Sequence, residues 1–568
     1  PRASGQRHRV LGRVGLQLLL LTPMRNAAAG SVKAAEAISV SAWSPFRNGI
    51  FAMLWTATVV SNIGTWMQDV AAGWLMTSLA PSPAMVALVQ AATTLPVFLF
   101  ALPAGALADL MDRRKLLLVT QSSLLVVTAS LGVLTQLDLV TPVVLLVFTF
   151  LAGLGAAMTA PAWQAIVPEL VPRPALQSAI ALNSLGINIS RAIGPALGGF
   201  LIAAFGVAVP FFVNAVTFVG VLAALFVWKR QAVHSTLPGE RFLGAIRTGL
   251  RYARESAPLR ATLVRSAAFF VFASCYWSLL PLIARHELRG GPGLYGMLLT
   301  AIGLGAVAGA LALPVLRKKI SSDHLVVGGT AVTAAIMAAL ALAPRVEVAL
   351  VAFLCAGGAW IAVLSSLNVS AQTALPNWVR ARGLSVYLMV FFGSMALGSV
   401  IWGQTATYTG LQTALLIAAG GAVAAILVTR RWGVQSGGLD LAPSMHWPAP
   451  AVADAIAPDR GPVMITVEYR IDQAQAAAFV ARLTELSHSR RRDGAFAWGV
   501  FEDAEKPGRY LEYFLVESWA EHLRQHERVT VADRDLQEGV QNFHLGPGKP
   551  IVSHFLAPAA IPTNGRET

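Results

Sequence analysis

Charge is scarce in this sequence: Asp, Glu, Lys and Arg supply 13% of its 568 residues, against 55% hydrophobic residues. With a mean hydropathy of +0.61, that scarcity excludes a single soluble globular chain, because so apolar a surface needs lipid around it. Cysteine is nearly absent. Cys275 and Cys355 both fall inside apolar stretches, which excludes a disulfide framework and reads each as a small buried hydrophobe. A phosphate-cradling G-x-x-x-x-G-K-[ST] loop is also missing, so direct use of ATP has no support. No cofactor is called for.

What the sequence does have is long apolar runs. A helix needs about 20 apolar residues to cross roughly 30 Å of hydrocarbon. About twelve such windows occur, near residues 48–78, 82–107, 116–137, 140–167, 175–205, 207–228, 261–284, 293–316, 324–344, 346–375, 383–408 and 411–429. The gaps at 205–207 and 408–411 leave room only for tight turns, so those neighbours are antiparallel.

The net charge of +14 does not point to nucleic acid, because the basic residues follow the alternation of the spans. Arg113, Arg114 and Lys115 follow the second window, Arg173 the fourth, and Lys229 with Arg230 the sixth. Arg317, Lys318 and Lys319 follow the eighth, Arg380 and Arg382 the tenth, and Arg430 and Arg431 the twelfth. Loops on the other side carry only Arg285, Arg289 and Arg345. The positive-inside rule then places both termini in the cytoplasm of a bacterial inner membrane and requires an even number of spans.

The expected organisation is a basic cytoplasmic tail over 1–45, a six-helix bundle over 46–229, a cytoplasmic linker over 230–260 and a second six-helix bundle over 261–432. In the tail, 16–21 is too short to span, and Met24 is a candidate start. An internal echo supports the division: Gln164, Pro168 and Val171 after the fourth window recur as Gln372, Pro376 and Val379 after the tenth. A Gly-, Pro- and Ala-rich stretch over 433–460 reads as a flexible linker. Beyond it, 461–558 shows strand, helix, two strands, a long helix over 519–543 and a final strand, the βαββαβ order of a ferredoxin-like α+β domain. The fold class expected is thus an all-α polytopic membrane protein with a small α+β domain appended.

Two motifs carry a family resemblance. The segment Gly105-Ala-Leu107-Ala-Asp109-Leu-Met-Asp112-Arg113-Arg114-Lys115 closely resembles the G-x-L-a-D-r-x-G-R-[RK] loop of the major facilitator superfamily. The resemblance implies that Gly105 lets helix backbones approach and that Asp109, Arg113 and Arg114 control the conformational switch. Asp112 stands where glycine is usual, which leaves the tight turn unexplained. Ser190-Arg191-Ala-Ile-Gly194-Pro195-Ala-Leu-Gly198-Gly199 resembles the G-x-x-x-G-P-x-x-G-G motif of that superfamily's exporters, with Ser190 replacing a glycine. Pro195 removes a backbone donor and the glycines allow close packing and bending. The first span, Gly64-Thr-Trp66-Met-Gln68-Asp69, is similar to the branch containing the enterobactin exporter and transmembrane secretion effectors. That likeness implies export of a siderophore-like or drug-like compound.

Ionisable groups deep in a span are the sharpest chemical signal. A central charge costs about 2.5–3.5 kcal/mol on insertion scales, so it persists only when paired or facing water. Asp69 and Arg191 qualify, and the resemblance places both on helices lining one cavity, where a pair could couple ion movement to transport; a fixed structural salt bridge is the equal alternative. Arg265 lies near enough to its helix end to snorkel. Gln68, Gln90, Gln164, Asn188, Tyr276, Trp277, Asn368 and Gln372 are further cavity-lining candidates, with Trp66, Asn183 and Tyr387 beside them. Fewer than half are expected to touch substrate, since most such groups bond helix to helix.

The last domain resembles the antibiotic-biosynthesis-monooxygenase type of αβ barrel, which implies a homodimer paired through the sheets. His522 and His526 stand i, i+4 on a helix and could begin a metal site. No third ligand is apparent, and Glu521, Arg524 and Arg528 suggest a solvated helix face instead, so no metal is expected. The leading reading is a proton-coupled secondary exporter in a lipid bilayer. The alternative is a membrane-tethered enzyme with the last domain as its catalytic unit, and a sensor or scaffold is a third.

Overall fold

A computed structural model describes residues 41, 43–80, 82–228, 242–434, 440–448, 450 and 456–558. The tail with Met24, and the side chains of Asp109 and Arg173, lie outside the described residues. The first half contains α1 (Gly49–Leu79), α2 (Pro83–Leu110), α3 (Arg113–Gln136), α4 (Pro142–Leu170), α5 (Leu176–Phe205) and α6 (Val209–Val227). A shorter helix, α7 (Phe242–Glu255), leads to α8 (Ala257–Leu282), α9 (Pro292–Leu316), α10 (Ser322–Leu342), α11 (Val346–Thr373), α12 (Arg380–Thr409) and α13 (Leu411–Thr429). Twelve of these helices, all but α7, are long and apolar enough to cross a membrane. In lipid each backbone amide must be satisfied within its own segment, which is why uninterrupted helices form here.

Polar residues set the helix starts. Asn48 accepts from the amides of Ile50 and Phe51, and Thr141, Ser256 and Ser321 cap α4, α8 and α10 in the same way. Asp112 resolves the missing glycine of the second loop: its carboxylate accepts from the Lys115 amide and caps α3. The turn is made by an N-cap with ordinary negative φ, so no glycine is needed.

The halves meet along α2 with α12 and α5 with α9. Hydrogen bonds that join them lie at the end opposite the basic loops. Arg285 donates to Thr77 Oγ1 at 2.7 Å and Ser78 Oγ at 2.6 Å, and the Ala84 amide donates to Thr407 Oγ1 at 3.1 Å. Backbones also touch there, where a Cβ on Gly199 would lie 3.0 Å from Gly296 Cα. At the basic end Gly105 has nothing within 4 Å of where its Cβ would be. The close approach expected at Gly105 is therefore not made in this state.

Three other sequence readings change. Cys355 is exposed on the outer surface of its helix, while Cys275 is buried as expected. Arg265 does not snorkel: it is 4% exposed and pairs with Asp323 at 3.1 Å while donating to the Trp432 carbonyl. The stretch over 230–260 contains α7, an amphipathic helix whose Tyr252 is buried and donates to the Ala374 carbonyl at 3.0 Å.

The last domain runs β1 (Val463–Arg470), α14 (Ala476–Asp493), β2 (Ala497–Glu502), β3 (Arg509–Val516), α15 (Trp519–Arg528), α16 (Val531–Gln541) and β4 (Ile551–Leu556). Its antiparallel sheet has the order β2-β3-β1-β4, that of a ferredoxin-like fold. The single helix expected over 519–543 is two, because Thr530 and Asp533 form a capping box that starts α16 afresh. One face of the sheet packs on the helices. On the other, Phe501, Leu511 and Ile551 share one cross-strand row with Glu468, and Phe555 shares the next but one with Met464 and Leu515, beyond the row of Thr466, Tyr513 and Ser553.

This domain rests on the second half. Arg251 of α7 approaches Glu521 at 3.6 Å, Glu255 meets His488 at 2.9 Å, and the Arg528 guanidinium lies over the Trp378 ring at 4.5 Å. The solvated helix face expected around His522 is thus wrong: His522 is 1% exposed and Arg528 9%.

Candidate functional site

Between the halves lies a cavity of about 240 Å³, lined from both sides. The first half contributes Trp66 and Asp69 of α1, Gln90, Thr93 and Thr94 of α2, and Arg191 of α5. Trp277 and Ser278 of α8, Tyr295 of α9, Trp360 of α11 and Phe391 with Phe392 of α12 close it from the second half. Asp69 and Arg191 are the only charged groups in this lining.

Small residues bring these elements together. A Cβ on Gly194 would lie 2.5 Å from Trp66 Cβ, and one on Gly198 would lie 3.0 Å from Met67 Cα, so α5 presses directly on α1. Gly199 and Pro195 extend the contact across the halves, with the Pro195 carbonyl 2.6 Å from where a Gly296 Cβ would be. Ser190, standing where the motif has glycine, is buried and donates to the Gly186 and Val59 carbonyls, so its hydroxyl is absorbed by the helix contact. The roof of the cavity is Tyr295, whose hydroxyl comes 2.9 Å from where a Gly73 Cβ would sit, with its ring stacked 6.3 Å from that of Trp74.

Asp69 and Arg191 face this common space without forming an ion pair or a hydrogen bond, and the expected pairing is not made here. The reason is their height. Gly198 abuts Met67 and Val70, so Asp69 lies level with that part of α5. Arg191 is two turns earlier, roughly 10 Å nearer the basic end at about 1.5 Å per residue. Its guanidinium lies over the Trp66 ring at 5.9 Å. Asp69 is exposed to the cavity rather than buried in protein.

Of the other expected lining residues, Gln90 and Trp277 reach the cavity. The Trp277 Nε1 is buried without a hydrogen-bond partner. Gln68 is instead a buried hub, its Oε1 accepting from Thr128 at 3.0 Å and Asn214 at 2.6 Å. Tyr276 is buried in the core of the second half. Asn188 bonds back to the Ser184 carbonyl of its own helix. Gln164, Asn368 and Gln372 stand exposed outside the lining, the last two bonded to each other at 3.3 Å. The aromatic wall of Trp360, Phe391, Phe392 and Tyr295 was missed, since an aromatic residue in an apolar helix looks the same whether it faces lipid, core or cavity.

In the second loop, Arg113 donates to the Ala165 carbonyl and to Glu169 at 2.7 Å, and Arg114 donates to the Leu225 and Phe226 carbonyls. Arg114 therefore satisfies orphan carbonyls at the end of α6, and Arg113 ties the start of α3 to the last turns of α4. In the last domain His522 and His526 face each other at 3.3 Å between Nε2 atoms, and His554 of β4 brings a third ring within 4.8 Å of His522. Among the described residues no group of three or more ligands is disposed to hold a metal ion.

Two halves of six spans each, closed on one another at one end around a central cavity, are the architecture of a membrane transporter of the major facilitator type. Solved structures agree on that fold. An inward-facing, unoccupied bacterial homologue of the human lysosomal transporter Spinster aligns with TM-score 0.52 at 16% identity, covering 69% of this chain and 98% of the other. A transporter of the POT family, PepTSo, aligns with TM-score 0.57 at 13% identity, over 68% of this chain and 97% of the other. The model of the transmembrane secretion effector family matches residues 40–563, and the chain belongs to that family. It is similar to the multidrug efflux pump Tap of Mycolicibacterium fortuitum, 26% identical over 65% of this chain and 92% of the pump. It is also similar to the staphyloferrin A transporter of Staphylococcus aureus, 26% identical over 46% of this chain and 66% of that protein.

Proposed function

We propose that the chain is a proton-coupled exporter of a small siderophore-like or drug-like molecule, working by alternating access in a bacterial inner membrane. The observation that carries this reading is the unpaired Asp69 facing a cavity between two halves that are tied by Arg285 to Thr77 and Ser78 and by the Ala84 amide to Thr407 at one end. A carboxylate without a protein partner takes a proton from whichever side the cavity opens to and releases it to the other. By the positive-inside rule the basic end is cytoplasmic, so the cavity is open inward here and both termini are cytoplasmic. Relatives described as an efflux pump and a siderophore transporter support the direction and the cargo. Gly105, Asp109, Arg113 and Arg114 belong to the basic loop at the end of α2 and the start of α3, which supports a role in the switch. The apolar sheet face of the last domain supports pairing of two copies.

The test is gradient-driven movement of dyes and siderophores into inverted vesicles, comparing wild type with Asp69→Asn at matched expression. Transport that the substitution reduces at least tenfold supports the reading. Undiminished transport removes Asp69 from coupling, and no movement of any compound returns the tethered-enzyme alternative.

A further inference from the structure

We infer that the cavity selects an amphoteric solute, one carrying a cationic group and an anionic group on a flat apolar body. This deepens the exporter reading above and rests on it for the identity of the site. Three observations carry it. First, the lining holds one carboxylate and one guanidinium, and among the described residues neither has an ion-pair or hydrogen-bond partner. Second, their backbone positions stand roughly 10 Å apart in height along the helices, with Asp69 beneath the roof and Arg191 nearer the basic end, and the two form no ion pair. Third, the space between and around them is walled by Trp66, Trp277, Trp360, Phe391 and Tyr295, faces that suit a planar ring system.

The selectivity follows from desolvation. When a ligand displaces water from the cavity, each charge must find an opposite charge or remain uncompensated in an apolar enclosure. A singly charged solute satisfies one end and strands the other. A neutral one strands both. Only a molecule with both charges matches the whole lining. Gln90, which makes no side-chain hydrogen bond to protein, adds an amide that can serve either end.

The experiment measures equilibrium binding to the purified full chain in lipid nanodiscs, by fluorescence anisotropy and without any ion gradient. The probes are a rhodamine bearing a free carboxylate, the methyl ester of the same dye, and fluorescein; they are respectively amphoteric, cationic and anionic on one scaffold. Binding of the amphoteric dye about tenfold tighter than either of the others is expected. In Asp69→Asn the amphoteric dye should fall to the affinity of fluorescein, and in Arg191→Gln to that of the ester, while Arg191→Lys should keep the preference. Equal affinities in the wild type, a uniform loss across all three dyes in both variants, or no binding overturns the inference. Because no gradient is applied, a failure of proton coupling leaves the binding result intact. Conversely, equal binding in a protein that still exports under a gradient removes the amphoteric preference alone.

Discussion

At the scale of single residues, what decides a role is whether a polar group finds its partner inside the protein. Gln68 and Asp69 are adjacent in sequence, yet Gln68 is consumed by Thr128 and Asn214 while Asp69 is left to the cavity. Successive helical positions point about 100° apart, so neighbours in sequence are separated by the packing of α3 and α6 on one side only. His522 shows the opposite case, a titratable group with too little water. Burial, then repulsion from His554 and His526, pushes its pKa down to about 3. The unfolded chain, with a histidine near its ordinary 6.5, binds more protons than the folded one between those values. Stability of the last domain is therefore complete above about pH 6.5 and falls as the pH drops below it, by roughly 2 kcal/mol at pH 5. Limited proteolysis of the full chain at pH 7.5 and at pH 5 should show this loss, and His522→Phe should remove most of it.

Among elements, the end of α8 carries a device that no motif announced. Its last turn widens into a π-helix over Ile283–Glu287, and this aims Arg285 across the interface at α1. There it binds Thr77 and Ser78 and lies over the Trp74 ring at 5.3 Å, joining the halves where they are closed. Arg285→Ala should therefore free that end and favour the opposite opening. In a background lacking both native cysteines, Gln90→Cys should react several-fold faster with a membrane-impermeant maleimide added from the periplasmic side when Arg285 is replaced. An unchanged rate would leave the glycine contacts, Gly199 on Gly296, as the closure that matters. From sequence Arg285 was a stray basic residue on the sparsely charged side. Its partners lie about 200 residues earlier, and no local pattern encodes a contact across that distance.

For the whole molecule, the last domain travels with one half. Its contacts run through α7 and Trp378 to the second bundle, so rocking of the halves carries it as a unit with α8 to α13. That leaves the far face of its sheet free, with Phe501 63%, Ile551 62% and Phe555 51% exposed. Large apolar side chains on an uncovered sheet face favour a second copy of the same face. Phe555→Glu should accordingly shift the purified protein from dimer to monomer in size-exclusion light scattering without changing its folded helix content. The sequence by itself determined the number of spans, the two-half division, the basic side and the βαββαβ order, because each of these rests on composition and local periodicity. Helix existence in lipid needs only an apolar run and its own amides. Which charges stay unpaired, which glycines touch and which aromatic rings wall the cavity were decided only by tertiary structure. Those properties depend on the height and rotation of one helix against another, and a displacement of two turns separates a salt bridge from two free charges.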